Sequence, residues 1–528
     1  MRKLLLASAA MLGATAGIAS AQTAANPMQG QMAAPNFPGS AGNDSNNYVG
    51  QPSTYVGNKI GMVPVLVPQP GTVVVRLGGK VEADFDGFWT SANTAQSGGG
   101  VAAGVKTGSA KINPLGVAAY VRLYPGVDGM ATNGIRYGAQ VEIRENFSNP
   151  NNAPNLGVSQ PGAAAATYSP GFSAAASPSG YTSAQTLFVR RAYSYIAADN
   201  VGLFRIGTTD GVIGLFDPCI FSGQCYDAGT GNFNGGNIQG TGPSAALGVP
   251  FAWLAQAGAE YGNAKVVYLS PQFFGFDVGV QYAPSMENAF SNSTAGTPIQ
   301  GTSCVQAGPA CASTTTGSDP TRWYNQVAVG ARYQGVFGPL GLGAYVVYET
   351  AGKESFFGAP VSSGNGVTGN VYDNLSFVAA AFYINYDTGV GTITPAFDYI
   401  GGALNGQLTM RPTGGVSEQA FLPSLKYANG PLVLEVEAGL VNSQGAQQLT
   451  GISQRREFEF AAGGTYVMAP GLFLVGEYMY TYRHQAGFDF NAGAISAGTG
   501  TAGKPGWQAG YTRDAHGQGF LSSIVVAW

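Results

Sequence analysis

The chain has 528 residues, only 10% of them charged, and a formal net charge of −4. About a quarter of the residues in an average soluble domain are charged, so this composition disfavours an ordinary soluble globule. The slightly acidic balance gives no basic surface for nucleic acid, and none is expected as a partner. Glycine (80), Tyr (27) and Phe (28) are abundant, which suits an apolar surface ringed with aromatic side chains.

The first 21 residues predict export. Arg2 and Lys3 precede an apolar run, which ends at the small-residue cleavage motif Ala19-Ser20-Ala21. This is the pattern of a Sec-type signal peptide, and its removal would change the net charge from −4 to −6, since −4 − 2 = −6. Residues 22–70 are rich in Gln, Asn, Pro, Ala and Gly, and they predict an irregular periplasmic extension.

The stretch Gly71–Trp89 has two different faces. Its odd positions include Val75, Leu77 and Phe85, whereas its even positions include Arg76 and Glu82. Alternate side chains of a β-strand point to opposite faces. No segment after the signal reaches the roughly 18 consecutive apolar residues of a membrane helix. The alternation therefore predicts a strand of a membrane barrel, apolar towards lipid and charged towards a water-filled lumen.

Similar segments recur to the end of the chain and assign residues 71–528 to one all-β, transmembrane antiparallel barrel. We count sixteen strands, joined by seven short turns and eight longer loops. The first turn is predicted over Pro125–Gly134. Short turns on the periplasmic side and long loops outside are typical of outer-membrane barrels. Eighteen strands remain an alternative, because Phe251–Tyr261 contains a possible further strand.

Four cysteines form two close pairs, Cys219 with Cys225 and Cys304 with Cys311. In an exported protein we expect two local disulfides, although four cysteines allow three pairings. A metal site is disfavoured, since no histidine lies near either pair.

The segment AKVVYLSPQFFGFDVGVQYAPS (Ala264–Ser285) resembles a hairpin of the general porins of Gram-negative outer membranes. The segment Phe337–Tyr348 and the terminal aromatic Trp528 are similar to the same family. The resemblance implies a sixteen-stranded homotrimer whose third long loop folds into the barrel and narrows it. By our count that loop is Gly211–Trp253. The resemblance also implies that Trp528 is recognised by the barrel-insertion machinery.

A pore is expected to be lined with charge rather than to contain a catalytic group. The predicted constriction-loop acids are Asp210, Asp217 and Asp227, facing a basic wall across the lumen. The basic wall comprises Arg76, Lys80, Arg122, Arg136, Arg144 and one of Arg190 or Arg191, with Arg190 the assigned residue. The predicted lumenal acids are Glu82, Asp84, Glu435, Glu437, Glu457, Glu459 and Glu477. Such a transverse field favours polar solutes, although these charges are alternatively plain solvated residues.

The sequence thus predicts an outer-membrane pore for passive diffusion of small hydrophilic solutes and ions, without a cofactor and in contact with lipid and lipopolysaccharide. The net charge favours a slight cation preference. A substrate-selective channel, for sugars or for anions such as phosphate, is the alternative. A barrel enzyme is a distant one, because His484 and His516 have no recognisably spaced Ser or Asp.

Overall fold

The computed structural model describes residues 68–90, 94–95, 110–111, 115–146, 188–198, 200–216, 263–285, 323–353, 372–405, 410–446, 449–489, 494–495 and 514–528. The predicted signal peptide, nearly all of the extension 22–70 and all four cysteines lie outside these residues. No helix in the described part of the chain is long and apolar enough to cross a membrane.

Sixteen antiparallel strands close into one barrel. They are β1 Thr72–Thr90, β2 Leu115–Met130, β3 Arg136–Asn146, β4 Phe188–Ala198, β5 Gly202–Thr209, β6 Asn263–Leu269, β7 Phe276–Ser285, β8 Trp323–Phe337, β9 Leu340–Lys353, β10 Leu375–Asp387, β11 Thr392–Ala403, β12 Glu418–Asn429, β13 Leu432–Ser443, β14 Arg455–Ala469, β15 Leu472–His484 and β16 Asp514–Ala527. Each strand pairs with its neighbours in sequence.

The predicted sixteen strands are confirmed. The eighteen-strand alternative fails because β5 pairs directly with β6, from Leu203–Leu269 to Thr209–Asn263. A strand hidden between them therefore has no place in the ring. Seven short turns and eight longer connections join the strands, and closure leaves no unpaired strand edge in lipid.

The first predicted turn is shorter than expected. Strand β2 continues to Met130, and only residues 131–135 turn. Pro125 lies within the strand, opposite Leu77 of β1. On the other side the ladder passes from Leu123–Ile143 to Gly126–Gln140. Because Pro125 is absent from that ladder, its missing N–H costs no hydrogen bond there.

The barrel closes where β1 meets the C-terminus. Gly79 N donates to Trp528 O and Trp528 N donates to Gly79 O, both at 3.1 Å. The indole covers Gly79, where an added Cβ would lie 2.9 Å from Trp528 Cε2 and 3.0 Å from Arg122 O. Only glycine leaves room for this approach, so the last residue packs onto the seam.

Candidate functional site: the inner wall of the barrel

Strand β1 has the two faces that its alternation predicts. Val75 and Leu77 point outward, 76% and 63% exposed, whereas Arg76 is 5% exposed and Lys80 is fully buried on the inner face. Glu82 and Asp84 are buried on the inner face as well, as is Glu142 of β3.

Basic side chains lie next to one another on the inner faces of the first strands. Lys80 of β1 pairs in register with Arg122 of β2, and Arg122 pairs with Arg144 of β3. Neighbouring strands are about 4.8 Å apart, so these positions form a transverse basic row. Arg122 is buried and Arg136 is partly buried. The side chains of Arg144 and Arg190 lie outside the described part of the chain.

Arg191 occupies the inward position on β4. A register shift between Glu142 and Ile143 places Glu142 opposite Arg191 and Ile143 opposite Val189. Arg191 is buried, and parity alone left its side ambiguous, because two arginines are adjacent and the ladder is irregular there.

Most of these cations contact carboxylates on the same wall. Arg76 is paired with Asp128, whose Oδ1 also accepts a hydrogen bond from the Tyr195 hydroxyl at 2.5 Å. Lys80 Nζ lies 2.6 Å from Glu82 Oε2. The inner face of β1–β5 thus contains compensated charge.

Asp210 lies beside the basic side chains and not across the lumen from them. Arg191 Nη2 is 2.6 Å from Asp210 Oδ1, and Arg191 Nη1 is 2.5 Å from Glu142 Oε2. Strands β4 and β5 are adjacent, so Asp210, which directly follows β5, contacts Arg191 of β4. The placement expected for Asp210 is therefore corrected, and Asp217 and Asp227 lie outside the described residues.

The connection after β5 enters the barrel. A short helix, α1 (Val212–Phe216), is buried throughout and packs on the inner faces of β7, β8 and β9. Val212 N donates to Gln281 Oε1 at 2.5 Å. The Arg332 guanidinium lies over the Phe216 ring, with Cζ 4.7 Å from its centroid, and Nη2 is 2.5 Å from Asp277 Oδ2.

Part of the inner wall is apolar, which the sequence analysis did not anticipate. The buried inward side chains of β9–β12 include Val347, Leu375, Phe377, Ile400 and Leu422, in one cluster with α1. The signal was present in LSFVAAAFYINY, where both alternate rows are largely apolar. Such a strand has no row of polar side chains that could face water. Its inner face is therefore expected to pack against other apolar side chains, as it does against α1.

The last strands carry a wall of carboxylates. Its members are buried and point inward; they are Asp398 of β11, Glu435 and Glu437 of β13, Glu457 and Glu459 of β14 and Glu477 of β15. We call these six residues the acidic wall. Basic neighbours include Lys426, which lies opposite Glu435, and Arg483, whose Nε is 2.5 Å from Glu457 Oε1.

Sequence reasoning missed several inward charges. Arg205, Lys265, Asp277, Arg332 and Glu349 are all buried. Their signal was the same alternation, as in VGLFRIGTT, where Arg205 lies between the outward Phe204 and Ile206. Arg205 Cζ lies 4.4 Å from the centroid of the Tyr193 ring.

The ends of the strands joined by long loops form a hydrogen-bonded rim on one side of the barrel. Arg411 Nη2 is 2.7 Å from Asp373 Oδ2, and Gln485 Nε2 donates to Gln444 O at 2.8 Å. His484 Nδ1 lies 2.6 Å from Asp514 Oδ1. No group of three or more His, Cys, Asp or Glu side chains within the described ranges is arranged to hold a metal ion.

A family model described as Gram-negative porin matches residues 7–486. No curated protein matches the chain.

Several solved structures are similar. The anion-selective porin from Comamonas acidovorans has 13% identity and a TM-score of 0.42, covering 87% of this chain and 100% of its own. The trimer form of OmpT from Vibrio cholerae has 11% identity and a TM-score of 0.40, covering 86% and 99%. An engineered variant of the Rh. blastica porin has 10% identity and a TM-score of 0.38, covering 86% and 100%.

The family model covers most of the chain, and the barrel has apolar side chains outside and charges inside. The chain therefore belongs to the Gram-negative porin family and forms an outer-membrane pore for passive diffusion.

Proposed function

We propose that this pore is a non-enzymatic general diffusion channel with a weak preference for cations, in which charged inner walls select among small hydrophilic solutes. The observation that carries the proposal is the charge on the inner face. Among the buried charged residues described, carboxylates outnumber basic side chains. Cations therefore enter at a lower electrostatic cost than anions.

The narrow part of the channel is proposed to lie at the connection that starts with Gly211. Helix α1 is already buried against β7–β9, so the chain enters the lumen before Asp217. A loop inside a barrel reduces the open cross-section of the pore, so its removal is expected to widen the pore. Asp217 and Asp227 belong to this proposal as constriction-loop acids.

Assembly and targeting complete the proposal. Residues 1–21 act as the signal peptide, residues 22–70 remain periplasmic, and three copies associate in a lipid and lipopolysaccharide environment. The Trp528 side chain is half exposed where it covers the barrel seam, which leaves it accessible to the insertion machinery. Cys219 with Cys225 and Cys304 with Cys311 are proposed as disulfides.

Planar-bilayer conductance with neutral sugars of increasing size tests this function. A general pore admits small sugars without saturation and excludes large ones by size alone. Saturation by one sugar, or by phosphate, would instead support a substrate-selective channel. Deletion of Gly211–Gly242 is expected to raise both conductance and the size limit, and unchanged values would place the constriction elsewhere.

A further inference from the structure

Strand β1 extends past the point where the barrel closes. Its pairing with β16 runs from Thr90 to Lys80 and ends at Gly79, which exchanges two hydrogen bonds with Trp528. Residues 72–78 continue β1 beyond this seam, and within the described ranges they pair with β2 alone. The seam side of β1 is therefore an open edge over residues 72–78 of the described structure.

The backbone groups on this open edge are known from the seam. Gly79 N donates to Trp528 O. Hydrogen-bonding directions alternate along a strand, so the N–H groups of Val73, Val75 and Leu77 also point to the seam side. Such a row of N–H and C=O groups is a template for another strand, and lipid does not tolerate it unpaired. The open edge therefore needs either water or a further strand.

The chain turns sharply just before β1. Thr72 N donates to Gln69 O at 3.0 Å, and Gly71 has a positive φ of 80°. Pro70 followed by a glycine of this conformation is the pattern of a type II turn. Pro68 is buried, whereas Gln69 and Pro70 are exposed. The chain ahead of β1 thus comes back to the barrel at this turn.

The sequence ahead of the turn suits the open edge. Three valines occupy alternate positions there: Val63, Val65 and Val67. β-branched residues at alternate positions favour a strand with one apolar face. The outward row of β1 beside the open edge is apolar as well, and its Val75 is 76% exposed. A strand formed by these valines would therefore continue the apolar outer face of β1.

We propose that residues 63–67 pair with residues 73–77 of β1 as a short antiparallel strand that covers the open edge at the seam. Val65 lies opposite Val75 in this pairing, so the valines of both strands share the outer face. Pro64 then occupies a position whose N–H would point away from β1, and its missing donor costs no hydrogen bond. A proline on the outer edge also prevents the addition of yet another strand.

Hydrogen exchange of the detergent-folded protein, resolved to single amides, tests the proposal. The seam-side amides of Val73, Val75 and Leu77 should exchange about tenfold more slowly in the intact chain than in a variant without residues 22–67. One hydrogen bond to the added strand accounts for about that factor. The amide of Gly78 points to β2, so it is an internal control whose rate should not change.

Val65→Pro compared with Leu66→Pro tests the register. Val65→Pro removes the N–H that bonds to Val75 and should raise the exchange rate of the Val75 amide about tenfold. Leu66→Pro places the same ring where the N–H points away from β1, as Pro64 already does, and should leave that rate unchanged. The two variants keep the proposal testable even where the deletion variant does not fold.

Fast exchange of all three seam-side amides in the intact chain would show an edge open to water and overturn the proposal. Protection that persists without residues 22–67, or an equal effect of the two proline variants, would overturn it as well. Protection that is lost when the protein is diluted to monomers would assign the edge to a second copy of the chain, which also contradicts the proposal.

Discussion

The basic inner face of β1–β5 and the acidic wall differ in how their charges are satisfied. On the basic face, Arg191 meets both Glu142 and Asp210, and Arg76 meets Asp128. On the acidic wall, the electrostatic neighbours of Glu437 are the carboxyl groups of Glu459, Asp398 and Glu435, and Glu459 is also its hydrogen-bond partner. In the first region acids and bases pair with one another, whereas in the second several carboxyl groups lie side by side and only some of them have a basic partner.

This difference separates two roles of charge in one barrel. Buried ion pairs hold adjacent strands in one arrangement, although their net stabilisation is modest. Carboxyl groups that lie side by side disfavour one another's charged form, which costs stability.

The largest expected effect comes from Arg191→Ala. It removes the buried cation that Glu142 and Asp210 both contact, which should lower the free energy of unfolding by about 3–5 kcal/mol. Urea unfolding of the detergent-folded barrel measures this value. Arg411→Ala, which breaks the partly exposed pair with Asp373, is the control and should cost about 1 kcal/mol or less. Equal costs would show that burial does not distinguish the two pairs.

Gly279→Val tests the apolar surface between the two charged regions. A Cβ at Gly279 would lie 2.7 Å from Val212 Cγ1 and 3.0 Å from Phe216 Cζ. Overpacking of this kind costs about 1–3 kcal/mol and should displace α1 and change conductance. At Gly476 nothing lies within 4 Å of an added Cβ, so Gly476→Val is the matched control. A conductance change in the control alone would place α1 elsewhere.

Glu437→Gln should have the smallest effect on stability, with an unfolding free energy unchanged or raised by up to about 1 kcal/mol. The substitution keeps the shape of the side chain, and the amide that it introduces can still donate a hydrogen bond to Glu459. Urea unfolding of Glu437→Gln and Arg191→Ala under the same conditions compares their free energies of unfolding directly. A loss of several kcal/mol would mean that Glu437 belongs to an ion-pair network after all.

The sequence predicted the strand number and the faces of β1, because each side chain of a membrane strand faces either lipid or the interior. It also placed Glu435, Glu437, Glu457 and Glu459 on one inner wall, since alternation and strand adjacency are enough for that.

Partners across strands could not be predicted in the same way. The Arg191–Glu142 pair lies at the register shift between β3 and β4, and a one-residue shift reverses every facing assignment. The apolar surface beneath α1 was not predicted either. Alternation identifies an inner face only where that face meets water, and here the chain itself covers it with apolar side chains. The predicted start of the first turn, at Pro125, was wrong for a local reason. A proline is tolerated within β2 because the pairing between β2 and β3 is already interrupted at that position.

The reversal potential in a KCl gradient, measured for Arg76→Ala and Glu457→Gln, tests the central claim that charged residues of β1–β5 and of the acidic wall act on ions in one lumen. One charge about 8 Å from a permeating ion changes its energy enough for roughly a twofold change in permeability ratio. Arg76→Ala should shift the K⁺ to Cl⁻ permeability ratio towards cations, and Glu457→Gln should shift it towards anions. Shifts in the same direction, or no shift in either variant, would contradict the claim.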